Sequence, residues 1–332
     1  MKRVLVTGGA GFIGRHTIRL LEEKGYDVTA LDWDLMRMRD LKCLHKITGD
    51  MKDKPLMDAL MCEYEIEGII HLGAQSAVPV SMAAWGLDAE QNVMGTISVV
   101  DAARSITLRR NRVKRIVYAS SGGTVYGNPA KFPVGEDAPL DPQSPYGISK
   151  LAGEFYVRIS GISRAVLRYP NVYGPGQPAD GAAGVVAIFI GRMMLDEQCI
   201  IYGDGHQARD YVFVEDIARA NVMALEADKD GIYNIGSGGP ITVNEIHRII
   251  SAQMGKYISP KYEDTRQGDV RTSFLDANRF RDQIGWEPTV TLEEGIKRTI
   301  EYMSRAGQAD KSPLSCGGGP SSTLGPVTVR NN

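Results

Sequence analysis

Short apolar runs alternate with longer stretches of helical periodicity through the first 170 residues of the chain. The helical stretches are 11–24, 91–104 and 146–159, and the first of them ends at Gly25, which is a typical C-terminal helix cap. The apolar runs predict buried strands at positions 3–7, 27–31, 68–72, 115–119 and 163–169. This alternation predicts an α/β fold with a doubly wound parallel sheet that helices cover on both faces.

The composition changes after Pro170, where prolines and glycines predict a loop that precedes a helix at 184–195. A glycine- and serine-rich C-terminal segment cannot bury much apolar surface, and it predicts a disordered tail. The predicted division is a first domain of residues 1–170 with residues 205–240 returning to it, a smaller mixed α/β C-terminal substrate domain of residues 171–204 and 241–305, and a tail of residues 306–332.

Charge and composition exclude several classes of protein. The formal net charge of −2 offers no bulk attraction for nucleic acid or for an anionic membrane surface. No apolar stretch approaches the ~20 residues that span a bilayer. The four cysteines are scattered without a CxxC pair, which argues against a metal site or a disulfide framework. We therefore expect a cytoplasmic protein with no metal, no nucleic-acid partner and no membrane partner.

A glycine-rich turn lies between the first predicted strand and the first predicted helix. Gly8, Gly11 and Gly14 follow the spacing G-x-x-G-x-x-G. Glycines there permit a tight turn and a close approach of the backbone to a pyrophosphate, which the N-terminus of the helix then attracts. A glycine motif alone is weak evidence, but the strand, the helix and a later acidic residue all stand where a Rossmann-type dinucleotide site requires them.

That acidic residue is Asp32, which ends the second predicted strand and can bind the hydroxyls of the adenosine ribose. A carboxylate there would repel a 2′-phosphate, so NAD is favoured over NADP, although nearby arginines leave NADP open. Asp50 and Met51 could hold the adenine edge, or Asp50 could instead cap a helix. The arginines that leave NADP open are Arg15, Arg37 and Arg39.

The segment SPYGISK places Tyr146 and Lys150 four residues apart, on one face of a predicted helix. A tyrosine with its ordinary pKa of ~10 is a poor base at neutral pH. A neighbouring ammonium and a positive nicotinamide ring should favour its phenolate form. Ser121 could bind the alcohol of the substrate. These residues predict removal of a hydride and a proton from a hydroxyl-bearing carbon.

The combined motifs resemble the NAD-dependent epimerase/dehydratase branch of the extended short-chain dehydrogenases/reductases, and above all its UDP-glucose 4-epimerase group. The resemblance covers the chain from position 2 to about position 302. The segments that carry it are 7–14, Asp32, 71–75, 92–96, 120–127, 146–150, 168–175, 209–211 and 266–269.

The resemblance implies a role for each matching residue. Tyr146 would be the base, Lys150 would tune it and bind the nicotinamide ribose, and Ser121 would assist at the sugar oxygen. The serine-to-tyrosine spacing is one residue longer than the spacing usual in the family, so Ser120 is the alternative to Ser121. The implied cofactor contacts are Gly8, Gly11, Phe12, Ile13, Gly14, Asp32, Asp50, Met51, Leu72, Ala74, Asn92, Tyr146 and Lys150. The implied contacts to a UDP-sugar are Ser121, Asn171, Tyr202, Arg209, Arg266, Asp269 and Ser273. A homodimer packed through the helices 91–104 and 146–159 is also implied.

Within this family the pair Gly122-Gly123 favours 4-epimerisation. Sugar 4,6-dehydratases typically carry an Asp-Glu pair there, and glycine can supply neither the acid nor the base that elimination of water requires. Ser273 occupies a position where a bulky tyrosine would exclude N-acetyl sugars, so UDP-GlcNAc is expected as a substrate beside UDP-glucose and UDP-galactose. UDP-glucuronate remains open, as does another nucleotide base.

Two other classes of function are weaker alternatives. A non-catalytic NAD-binding sensor would have little need for Tyr146, Lys150 and a hydroxyl in register. A net oxidoreductase would release reduced cofactor, whereas an epimerase regenerates NAD in every turnover.

Overall fold

The computed structural model describes residues 1–34, 36–39, 41–179, 184–265 and 271–309. Its strands are β1 (Arg3–Thr7), β2 (Asp27–Asp32), β3 (His45–Thr48), β4 (Gly68–His71), β5 (Arg115–Ser121), β6 (Ser163–Tyr169), β7 (Asn171–Tyr173), β8 (Ile200–Tyr202), β9 (Ala208–Arg209), β10 (Tyr211–Phe213), β11 (Gly231–Asn234), β12 (Ile241–Thr242), β13 (Lys261–Glu263) and β14 (Thr272–Ser273).

The α-helices lie between these strands, with one 3₁₀ turn at Met36–Met38 and one π-helical segment at Glu90–Met94. They are α1 (Phe12–Glu23), α2 (Lys54–Glu63), α3 (Val78–Ala83), α4 (Trp85–Ala89), α5 (Gly95–Arg110), α6 (Gly122–Val125), α7 (Pro145–Ile159), α8 (Val185–Met194), α9 (Val214–Glu226), α10 (Val243–Met254), α11 (Asn278–Ile284) and α12 (Leu292–Ala309).

Seven parallel strands form the main sheet in the order β11-β6-β5-β4-β1-β2-β3. The predicted doubly wound parallel sheet is therefore confirmed. Because all seven strands run the same way, their carboxyl ends meet at one edge. The strand order reverses between β1 and β4, and the crevice at such a reversal is where open α/β sheets bind their ligands.

Alternate residues of each central strand face opposite layers of helix. Val4 and Val6 of β1 lie in a core with Ile18 of α1 and Ile217 of α9. Leu5, between those two valines, lies in the opposite core, which α2, α5 and α7 cover. Since both faces of β1 are buried, the strand is an unbroken apolar run, which is why its sequence predicted it so well.

A third core lies among the C-terminal elements, where Phe189 of α8, Ile250 of α10 and Ile296 of α12 pack together. Short strands accompany it: β7 pairs with β10, β8 with β13, and β9 with both β12 and β14. These elements match the predicted mixed α/β character of the C-terminal region. None of the helices in the described ranges combines the length and the apolar composition needed to cross a lipid bilayer.

Three predicted boundaries differ from the structure by two residues or more. Strand β5 continues past Ala119 and pairs Ser121 with Tyr169 of β6, so Ser121 ends the strand rather than following it. The helix expected at 91–104 begins with the π-helical turn and extends to Arg110. Helix α12 continues to Ala309, so the boundary expected at 306 falls inside a helix. Residues 310–332 of the expected tail lie outside the described residues.

Candidate active site

The glycine turn after β1 is shaped by the absence of side chains. Gly8 has a φ of +68°, and a Cβ there would approach the backbone nitrogen of Gly73 to 2.8 Å. A Cβ on Gly14 would lie 2.2 Å from the carbonyl oxygen of Gly8. Gly11 begins α1 without a side-chain cap, and the first turn of that helix carries no acidic residue. The free N–H groups and the positive end of the helix dipole therefore suit a pyrophosphate.

Asp32 ends β2 beside this turn and is largely buried. One carboxylate oxygen accepts a hydrogen bond of 2.9 Å from the backbone N–H of Ala10, and the other accepts a longer one of 3.3 Å from Asp34. An ionised carboxylate offers about four acceptor sites, so capacity remains for the hydroxyls of a ribose. The turn and this carboxylate fit a dinucleotide of the NAD type.

Phe12 and Ile13, both half-buried, form the first turn of α1 above the glycines. Met51 packs against two further glycines: a Cβ on Gly73 would meet its sulfur at 2.8 Å, and one on Gly95 would meet its methyl carbon at 2.6 Å. These two glycines therefore make room for the Met51 side chain.

Asp50 is exposed and accepts a hydrogen bond of 2.9 Å from the backbone N–H of Lys52. Asp53, rather than Asp50, caps α2, because its carboxylate accepts the N–H of Leu56 at 3.1 Å. The helix-cap alternative for Asp50 is therefore wrong.

Leu72 and Ala74 lie in the loop that follows β4, and both are half-buried. Asn92 fixes this loop from the π-helical segment: its Oδ1 accepts the backbone N–H of Gln75 at 2.8 Å, and its Nδ2 donates to the Gln75 carbonyl at 2.9 Å. Since these bonds engage both ends of the Asn92 amide, the geometry assigns this side chain to shaping the loop.

Tyr146 and Lys150 lie in the first turns of α7, which Ser144 caps by accepting the N–H of Gly147 at 3.2 Å. The ammonium of Lys150 donates to the carbonyl of Ala119 at 2.9 Å and lies 5.9 Å from the centre of the Tyr146 ring. The predicted spacing on one helix face is thus realised, and the carboxyl end of β5 holds the lysine in place.

Ser121 and Ser120 project to opposite faces of the sheet, since they are consecutive residues of β5. The side chain of Ser121 acts on Tyr146 and lowers the pKa of its phenol, so the two groups lie near each other. Ser120 is buried and donates at 2.5 Å to Glu154, which also pairs with Arg168 at 2.7 Å. The geometry therefore favours Ser121 over Ser120 as the partner of Tyr146.

Burial dominates the ionisation of this site. It raises the pKa of Tyr146 to about 12, although the side chain of Ser121 opposes the rise. Burial lowers the pKa of Lys150 to about 8, while the charge of Asp88 raises it. The expected preference for the tyrosine phenolate is therefore not realised in the protein alone, because the loss of hydration disfavours the charged form of both groups.

Asp88 belongs to this site, and the sequence analysis missed it. Its carboxylate is 1% exposed, accepts a hydrogen bond from Ser149 at 2.6 Å, and acts on both Tyr146 and Lys150. Its position four residues before Asn92 was an available signal, because residues at that spacing share one helix face.

Four of the residues expected to bind the sugar nucleotide lie on the short C-terminal strands. Asn171 starts β7, where its backbone N–H donates to the carbonyl of Asp210 at 3.0 Å. Arg209 and Ser273 are register partners in the parallel pair of β9 and β14. Tyr202 ends β8, which pairs with β13. Arg266 and Asp269 lie outside the described residues.

The glycine pair after Ser121 differs in the space around each residue. A Cβ on Gly122 would lie 2.4 Å from a methyl group of Leu275, so no side chain fits there without rearrangement. A Cβ on Gly123 would meet only the side-chain oxygen of Asn171, at 3.9 Å, so this position opens toward the predicted substrate residues.

A doubly wound sheet, an uncapped glycine turn and a serine–tyrosine–lysine group at the carboxyl ends of the strands define an NAD-dependent enzyme of the short-chain dehydrogenase/reductase type. The chain belongs to the NAD dependent epimerase/dehydratase family, whose model matches residues 4–236. The family, the fold and NAD as the cofactor, all expected from the sequence, are confirmed.

Several similar proteins within this family are 4-epimerases of UDP-sugars. The UDP-glucose 4-epimerase of Mycolicibacterium smegmatis is 38% identical over 92% of this chain and 100% of its own length. The UDP-glucose 4-epimerase of Thermotoga maritima, solved with UDP-glucose, is 38% identical and covers 92% of this chain and 99% of its own, with a TM-score of 0.86. A UDP-N-acetylglucosamine 4-epimerase of Methanobrevibacter ruminantium is 30% identical with the same coverage and a TM-score of 0.85.

Proposed function

We propose that this protein interconverts the 4-epimers of a UDP-hexose, with bound NAD as the hydride acceptor and donor. The observation that carries the proposal is the Lys150 ammonium, which lies beside the Tyr146 ring and is held by the Ala119 carbonyl, two residues before Ser121 on the same strand. This group can move a proton on and off a hydroxyl, and it lies at the edge of the sheet where the dinucleotide turn also lies.

Each residue of this group has a separate task. Tyr146 takes the proton of the 4-hydroxyl and later returns it, and Ser121 bonds the same sugar oxygen. Lys150 favours the phenolate through its positive charge, against the burial that raises the pKa of Tyr146 to about 12. Bound NAD would accept the hydride from C4 and return it to the opposite face. Asn171, Arg209, Arg266 and Asp269 would hold the nucleotide, and Tyr202 would stack on its base.

The surroundings of Gly122 and Gly123 support epimerisation over dehydration. Elimination of water needs an acid and a base beside C5 and C6. Leu275 fills the space next to Gly122, and Gly123 carries no side chain toward Asn171. The position that could face the sugar therefore offers no proton-transfer group.

Ser273 supports a substrate range that includes UDP-GlcNAc. It is half-buried on β14, in register with Arg209, so it lies next to a residue that we assign to the diphosphate. A serine leaves space that a larger residue would fill, and an N-acetyl group could occupy that space. UDP-glucuronate is the alternative substrate, and the assay below separates the two.

We also propose that the protein is a homodimer. Exposed apolar side chains lie along α4, the π-helical segment and α7: Trp85, Leu87, Met94, Ile148, Phe155 and Ile159. Exposed apolar side chains on neighbouring helices are typical of an interface. Light scattering should give twice the mass of the 36.2 kDa chain.

The test is NMR of the purified protein with UDP-glucose, UDP-GlcNAc and UDP-glucuronate in separate samples without added reductant. The appearance of a 4-epimer identifies the reaction and the substrate. The Tyr146→Phe variant is the control and should produce none. A dehydrated or decarboxylated product would overturn the proposal, and so would stoichiometric release of NADH.

A further inference from the structure

Asp88 is a buried carboxylate that the mechanism above does not use. It lies in α4 and is 1% exposed, although an ionised carboxylate is costly to bury without compensation. It lies beside α7, which carries Tyr146 and Lys150. A charge retained in such a place requires an explanation in terms of the site.

Three hydrogen bonds hold Asp88, and they come from three separate elements. Its Oδ2 accepts from the Ser149 hydroxyl at 2.6 Å, and its Oδ1 accepts from Gln75 Nε2 at 2.9 Å and Asn92 Nδ2 at 3.1 Å. Ser149 directly precedes Lys150 on α7. The carboxylate therefore ties the catalytic helix to the loop after β4 and to the π-helical segment.

All three donors are neutral, so they solvate the charge of Asp88 without cancelling it. The positive charge on which it acts is that of Lys150, whose pKa it raises against burial. It also raises the pKa of Tyr146. One fixed negative charge thus acts on both ionisable members of the catalytic group.

Three other buried ionisable groups near the site keep their charge state near neutral pH. Burial lowers the pKa of His71 on β4 to about 3, so this ring is neutral. Burial raises the pKa of Tyr118 on β5 and of Tyr169 on β6, so both stay protonated. Glu154 on α7 is held in its ion pair with Arg168. The groups on whose ionisation Asp88 acts are therefore Tyr146 and Lys150.

We propose that Asp88 is a positioning residue of the catalytic centre, whose fixed negative charge keeps the Lys150 ammonium charged and sets the pH range in which Tyr146 and Lys150 work. The inference rests on the proposed roles of those two residues. Removing the charge lowers the pKa of both. The phenolate then forms at lower pH, which moves the acid limb of the pH–rate profile down, and the ammonium is lost at lower pH, which moves the alkaline limb down as well.

The test compares Asp88→Asn with Ser149→Ala in the NAD-bound enzyme. Asparagine can keep all three hydrogen bonds, because its amide can donate to Ser149, but it lacks the charge. Alanine at 149 removes the strongest bond and keeps the charge of Asp88. We expect both limbs of the kcat profile to move down by about one pH unit in Asp88→Asn. In Ser149→Ala we expect the rate to fall while the limbs stay in place.

A second measurement needs no turnover. The ionisation of Tyr146 is followed by near-ultraviolet absorbance of the NAD-bound enzyme, as the difference between each protein and its Tyr146→Phe derivative. The midpoint should fall in Asp88→Asn and stay constant in Ser149→Ala. If Asp88→Asn does not fold, Asp88→Ser, which also lacks the charge, is titrated instead. A lower rate with unmoved limbs and an unmoved tyrosine midpoint would overturn the proposal. If no sugar is epimerised, the proposed function fails, and the titration still decides the role of Asp88.

Discussion

Lys150→Met should make the cofactor-free protein more stable at neutral pH while abolishing its activity. Lys150 is buried, and burial lowers the pKa of its ammonium from 10.5 to about 8. The folded state therefore holds this proton less tightly than the unfolded chain does. Methionine fills similar space without a charge, so the substitution removes that penalty.

The size of this gain in stability follows from the pKa shift of Lys150. One pKa unit corresponds to about 1.4 kcal/mol. The change from 10.5 to about 8 therefore destabilises the folded state by about 3 kcal/mol at pH values below 8. Methionine also loses the hydrogen bond to the Ala119 carbonyl, a loss of about 1–3 kcal/mol. The net gain at pH 7 is then on the order of 1 kcal/mol.

The direction in which the stability gain of Lys150→Met changes with pH is a sharper test than the size of the gain. Between pH 8 and 10.5 the unfolded chain binds the lysine proton and the folded protein does not, so the free energy of unfolding of the wild type rises through this range. The advantage of Lys150→Met should therefore be greatest below pH 8 and shrink by about 3 kcal/mol as pH approaches 10.5.

The assay is urea unfolding of both proteins between pH 7 and pH 10.5. Lys114→Met is the matched control, because Lys114 also donates to a backbone carbonyl, that of Asn111, but its side chain is exposed. This control should show no such pH-dependent gain. A difference between wild type and Lys150→Met that stays constant with pH would refute the reasoning.

Three further predictions concern the same site. Tyr146→Phe should lower kcat by at least about 100-fold, because the proton acceptor is lost, while equilibrium dialysis shows unchanged binding of NAD. Gly8→Ala should weaken NAD binding and should destabilise the protein more than Gly161→Ala does. Both glycines have a positive φ, but only Gly8 has backbone atoms within 3 Å of the added Cβ. Equal losses of stability in urea unfolding would contradict this prediction. Ser273→Tyr should raise KM for UDP-GlcNAc far more than for UDP-glucose, and an equal rise for both would refute the proposed role of Ser273 in admitting N-acetyl sugars.

The sequence predicted the central sheet well because β1, β4 and β5 are buried on both faces. Such strands are continuous apolar runs bounded by glycine or polar turns, and that pattern is local. The glycine turn and the Tyr146–Lys150 spacing are local for the same reason. The end of β5 was placed two residues too early, because serines are common in turns and only pairing with β6 keeps Ser120 and Ser121 in the strand.

The spacing of Asp88 to Asn92 is a local signal, but it does not reveal the role of Asp88, because that role depends on contacts between distant parts of the chain. Its partners Gln75 and Ser149 lie 13 and 61 residues away. The same limit applies to the pKa of Tyr146: the spacing to Lys150 suggested a lowered value, but the burial that outweighs it is a property of the folded protein.

The most direct test of the central claim, transient oxidation at C4, uses a UDP-hexose that carries deuterium at C4. A substrate found in the NMR survey is incubated with the purified enzyme in ordinary water, and the 4-epimer is examined by NMR and mass spectrometry. The account predicts that the product keeps its deuterium at C4, because the same hydride leaves and returns to the opposite face without contact with solvent. Loss of the label to water during epimerisation would contradict it.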